Sequence, residues 1–136
     1  MKRYIELTQS DIFLFIMLFL IATMNLIMYS YFDYEKDLKQ GQNSIAVSYG
    51  PKSTKMLLII LYCIILILGS YGLFYLPFNN IYQYTYDSFL ICIGTLYFLM
   101  TILIDTSHIS ESYRRIGDLV FIFPLTLLLF WITTIE

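Results

Sequence analysis

What most constrains this chain is where its charges are absent. No Asp, Glu, Lys or Arg occurs within residues 12–32, 56–76, 88–104 or 119–135. A membrane-crossing helix needs about 20 mostly apolar residues, the length that spans the hydrocarbon core. The third stretch is at the short end of that range, but Tyr82, Tyr84 and Tyr86 can extend it through the interface. The expected fold is therefore all-α: a four-helix transmembrane bundle forming one integral membrane domain, with helices over about 12–32, 56–76, 84–104 and 118–135. Composition agrees, because 59% of the 136 residues are apolar and only 13% are charged, about half the charge of a typical soluble domain. A water-soluble domain and a disordered chain are excluded. A net charge of −2 leaves no basic surface for a polyanion, so no nucleic-acid partner is expected.

Local signals refine the spans. Ser10 and Asp11 suit the start of the first helix, and Pro77 ends the second. Pro124 falls inside the fourth, where neighbouring helices can satisfy a freed carbonyl. Gly69, Gly72 and Gly94 suit close helix packing, and Asn25 calls for a polar partner on a neighbouring helix. Cys63 and Cys92 lie within spans and read as small buried hydrophobes. The first apolar run is too long for a signal-peptide core and lacks a small-residue cleavage site. Tyr4, Tyr29, Tyr31, Tyr34, Tyr82, Tyr84 and Tyr86 fall near span ends, as an interfacial aromatic belt does.

The linkers set an orientation. Residues 33–55 and 105–118 together carry Lys36, Lys39, Lys52, Lys55, Arg114 and Arg115, whereas the opposite face has only Lys2 and Arg3. The positive-inside rule puts these two linkers in the cytoplasm and both termini outside.

The first linker is also the chemically loaded one. Asp33 and Asp37 are spaced i, i+4, so a helix continuing past the membrane surface puts both carboxylates on one face. The same stride runs back through Tyr29 and Asn25. Two acids on adjacent turns repel unless a cation lies between them or lysines such as Lys36 and Lys39 pair with them. Mg²⁺ suits such a pair, since it takes one or two carboxylates and completes its shell with water and phosphate oxygens.

The full string reads Tyr29-x3-Asp33-x3-Asp37-x3-Gly41-x2-Ser44-x5-Gly50. It resembles the second aspartate-rich motif of the UbiA-type intramembrane prenyltransferases. There a helix ends in Y-x3-D-x3-D, a glycine follows four residues on, and a Ser/Thr-containing apolar stretch closes on glycine. The resemblance implies Mg²⁺ as cofactor, with Asp33 and Asp37 as its ligands. It implies transfer of an isoprenyl group from a diphosphate donor to an aromatic acceptor, with Tyr29 as the catalytic aromatic residue. Asn25, Lys39, Lys52, Arg114 and Arg115 are the expected substrate-binding residues, the cations lying on the side where a diphosphate would sit. The family has nine transmembrane helices, and the four spans would match helices six to nine, with the motif loop cytoplasmic. The expected location is a bacterial inner membrane.

The family's first motif, N-x3-D-x3-D, has no counterpart in this chain. The resemblance thus implies half of a metal site and a five-helix N-terminal half as partner. The competing expectation is a non-catalytic four-helix membrane protein, a partner or lipid-binding subunit that keeps the motif as a relic. The orientation has its own check. In a Cys63→Ser, Cys92→Ser background, Gln42→Cys should react with an impermeant maleimide in inside-out vesicles and not in right-side-out ones.

Overall fold

A computed structural model of the chain describes residues 8–77 and 81–103, the side chain of Tyr82 excepted. The expected fourth helix, the linker bearing His108, Arg114 and Arg115, and the terminal residues Lys2, Arg3 and Tyr4 lie outside the described residues. Within them the protein is helical: α1 (Gln9–Phe32), α2 (Tyr34–Gln40), α3 (Ile45–Tyr49), α4 (Pro51–Tyr75) and α5 (Ile81–Leu103). Helices α1, α4 and α5 are long and apolar enough to cross a membrane. At 1.5 Å per residue the 24 residues of α1 extend about 36 Å.

Each long helix starts earlier than the charge-free stretches suggested, and in α1 a polar cap is the reason. Thr8, not Ser10, is the N-cap of α1. Its hydroxyl accepts from the Asp11 N–H, and the Asp11 carboxylate accepts from the Thr8 N–H, forming a reciprocal capping box. Ser10 instead donates to the Pro77 carbonyl at 3.2 Å. Pro51 occupies the first turn of α4, where its missing N–H costs nothing. That places Lys52 and Lys55 on the helix instead of in a linker. At the far end Pro77 forces Leu76 into an extended conformation, and α4 stops at Tyr75.

α1, α4 and α5 all pack on one another. Ser10 meets Pro77 just beyond α4, and Gln83 near the start of α5 donates to Asp11. Hence α1 and α5 run parallel, with α4 antiparallel to both. The core is rich in methionine and aliphatic residues, with Met17, Ile21, Met24, Met28, Leu58, Ile65 and Leu90 fully buried around Tyr97. Flexible methionines fill the irregular spaces between helices. Outward faces are equally apolar: Phe19, Ile67 and Phe74 are at least 70% exposed. In water such surface would drive aggregation. On membrane-spanning helices it is the lipid-facing side.

Two expectations about outward and inward faces are corrected. Cys63 and Cys92 are exposed, because the inward stripe of α4 runs through Leu58, Ile65, Gly69 and Gly72 and leaves Cys63 off it. Tyr31 is buried against the core instead of joining the aromatic belt, and packs edge-on to Phe32 with ring centroids 5.4 Å apart.

The glycines set how closely the helices approach. A Cβ on Gly69 would lie 2.5 Å from Ile91 Cγ1 and 3.2 Å from Met17 Cε, whereas one on Gly94 would meet Ile21 and Ile65 at 3.2 Å. Overpacking costs about 1–3 kcal/mol, and replacing a mid-helix glycine by alanine returns about 1 kcal/mol. Gly69→Ala should therefore lower the thermal unfolding midpoint in detergent, while Gly94→Ala should leave it near wild type.

Candidate functional site

The acidic segment lies where α1 leaves the bundle. Asp33 joins α1 to α2 with φ −82° and ψ 1°, a departure too small to break the ladder. The Asp33 N–H donates to Tyr29 O and the Asp37 N–H to Asp33 O, both at 2.8 Å. Asp33 and Asp37 thus sit one turn apart on a continuous helical path, which puts their Cβ atoms about 6 Å from each other. Exposure changes in one step along this column. Asn25 is 1% exposed, and Tyr29, Asp33 and Asp37 are half-buried.

The other motif positions have backbone tasks. Gly41 closes α2 in the left-handed region, at φ 65°, and the Gln42 N–H reaches back to Asp37 O at 2.9 Å, the 6→1 bond of a Schellman close. Ser44 is the N-cap of α3. The Ala46 N–H donates to Ser30 Oγ on α1 at 2.8 Å, which ties the loop to the first helix. Gly50 has φ 84° and ψ 152°, a region open essentially to glycine alone. Its carbonyl accepts from the Thr54 hydroxyl at 2.9 Å, launching α4. The expected loop over 33–55 is therefore largely helical, with two reversals at the glycines.

The expected cations divide. Lys39 is in the last turn of α2, where a positive charge complements the helix dipole. Lys52 is exposed in the first turn of α4, against the dipole, where an anion would be favoured over a cation. Arg114 and Arg115 lie outside the described residues. Among the described residues no three His, Cys, Asp or Glu side chains cluster as metal ligands. The Asp33–Asp37 pair fits a divalent ion only of the kind that draws its remaining ligands from water and phosphate.

Among the described residues the buried Oδ1 of Asn25 has no hydrogen-bond partner. One group was not singled out in the sequence: Asp87, inside the expected span over 84–104, lies in the second turn of α5. It is fully buried, and neither carboxylate oxygen has a hydrogen-bond partner among the described residues. The tyrosines around it made residues 81–87 read as interface. The signal that could have placed it is the stride Gln83–Asp87–Ile91–Thr95, which continues into the apolar span. Elsewhere, Leu66, Ser70, Tyr71 and Tyr75 line a groove on the outer face of α4, at the opposite end from the acids.

Nothing lies within 4 Å of a Cβ placed on Gly50, so the cost of substituting it is purely conformational. Gly50→Ala should destabilise by about 1–3 kcal/mol, and should raise amide hydrogen exchange selectively over residues 44–55 by loosening the entry into α4. The chain matches no protein-family model, curated protein or solved structure.

Proposed function

We propose that the chain is an intramembrane prenyltransferase of the UbiA type, or half of one, transferring an isoprenyl group from a diphosphate donor to an aromatic acceptor. The observation that carries this reading is the single column Asn25–Tyr29–Asp33–Asp37, which passes from bundle interior to aqueous rim on an unbroken ladder. A substrate with a charged head and a long apolar tail needs such a gradient.

Asp33 and Asp37 would hold Mg²⁺, which supplies charge neutralisation for a diphosphate leaving group. Lys52, with Lys39 nearby in sequence, attracts and orients that diphosphate at the cytoplasmic rim. Tyr29, one turn inward from Asp33, offers a π face to an allylic cation. Its half-buried position keeps the ring near the apolar interior, where water is excluded. Asn25 directs a polar oxygen into the bundle one turn deeper and orients the acceptor. The apolar helix faces house the prenyl tail.

The facing half of the metal site belongs on this reading to a five-helix partner bearing N-x3-D-x3-D, and the protein works in a bacterial inner membrane with its motif loop cytoplasmic. The second reading, a non-catalytic partner or lipid-binding subunit, draws on Gly41, Ser44 and Gly50. The turns and caps they make are needed by the loop whether or not catalysis occurs.

The two readings separate in membranes containing this chain together with a five-helix segment of that kind, assayed with a labelled isoprenyl diphosphate. Mg²⁺-dependent transfer is expected, and Asp33→Asn or Asp37→Asn should each lower it by roughly 10²–10³-fold, matching the several kcal/mol that a catalytic metal supplies. Transfer that survives both substitutions would sink the metal assignment, and no transfer by any pairing favours the subunit reading.

A further inference from the structure

The end of the bundle opposite the aspartate motif holds a second concentration of charge. Asp87 lies six residues into α5, within the membrane-spanning part of that helix, about 9 Å from its start. It has 0% exposure, and among the described residues neither Oδ1 nor Oδ2 has a hydrogen-bond partner. Its Oδ2 points at the bare face of Gly72, only 2.7 Å from where a Cβ would stand, and the tip of the Phe13 ring closes the same spot from α1.

One turn above, Gln83 Nε2 donates to Asp11 Oδ1 at 2.9 Å, while the other Asp11 oxygen takes the Thr8 N–H and hydroxyl. Gly72 is in the last turn of α4, so the carbonyls that end that helix, its negative pole, arrive at the same level. Every described cation, Lys36, Lys39, Lys52 and Lys55, sits at the other end.

An isolated ionised carboxylate in such a place costs several kcal/mol. Intramembrane acids that persist usually mark an ion or proton pathway, or a paired charge. A proton alone would cancel the charge but still leave the other carboxyl oxygen without a donor among the described residues. The described lysines all stand at the far end of the bundle and do not reach it. A divalent ion such as Mg²⁺ would keep several waters in its shell, for which a fully enclosed carboxylate has no room. A small monovalent cation meets these limits. It can bridge both Asp87 oxygens and take further oxygens from the end of α4.

We propose that Asp87, against Gly72 and beneath the Asp11–Gln83 bridge, is a binding site for one dehydrated alkali-metal cation that locks α5 to α4 and α1. This site is independent of the prenyl-transfer reading, because it involves none of the motif residues.

The test uses the full chain in detergent micelles, with sodium, potassium or choline chloride at equal ionic strength. Thermal unfolding would be followed together with equilibrium binding of radioactive sodium. An alkali cation should raise the wild-type midpoint by several degrees over choline, with one saturable ion per chain. Asp87→Asn should bind none and show the same midpoint in all three salts. Should that variant fail to fold, sodium binding by wild type decides: one saturable site supports the proposal and no binding overturns it. An alkali response that survives in Asp87→Asn overturns it. So does a Lys2→Gln, Arg3→Gln protein that loses stability while wild type shows no preference for alkali over choline, since the counter-charge would then be the chain's own N-terminal segment.

Discussion

A bilayer offers no water to a stranded polar group, and that condition organises this molecule. It requires every backbone N–H and C=O in the apolar spans to be satisfied internally, so the chain crosses as helices. It also restricts nearly all charge to the ends. Where a helix must begin, the chain provides side-chain acceptors: Thr8 and Asp11 for α1, Ser44 for α3. Where helices must touch, it removes side chains altogether, at Gly69, Gly72 and Gly94. Packing between apolar helices in lipid gains little from the hydrophobic effect, so close approach and dispersion do most of the holding.

Against that background the exceptions carry the meaning. Asn25 and Asp87 are enclosed in the bundle with polar atoms that no described residue answers, each on a different helix and near a different end of the structure. Asn25 heads the column that reaches the aspartates. Asp87 sits among apolar neighbours, with a second acid one turn away. A soluble protein could hydrate such groups by local breathing. Here each one calls for a ligand or a counter-charge, and the two ends of the bundle are chemically distinct for that reason.

How much of this was legible in the sequence depended on which forces were local. Three spans could be read from runs of uncharged residues, because insertion depends on composition. Their true starts at Gln9, Pro51 and Ile81 were less visible, since caps recruit polar residues outside the runs and the pairing of Thr8 with Asp11 is a geometric fact. The stride from Asn25 to Asp37 was legible because a helix preserves i, i+4 neighbours. The helical turns within residues 33–55 were hidden by their shortness, and only the glycines hinted at them. For Asp87 the stride from Gln83 to Thr95 marks a helix, but its enclosure depends on Gly72 and Phe13, residues 15 and 74 positions away in sequence.

The bond from the Ala46 N–H to Ser30 has a mechanical consequence. Ser30 belongs to the last turns of α1, and Ala46 to the short helix that hands the chain on to Gly50 and α4. The acidic segment is therefore held to α1 at two points, through the chain at Asp33 and through this bond, and the stretch between them forms a closed ring hung on the first helix. Losing the Ser30 hydroxyl would open that ring just ahead of Gly50, where α4 begins.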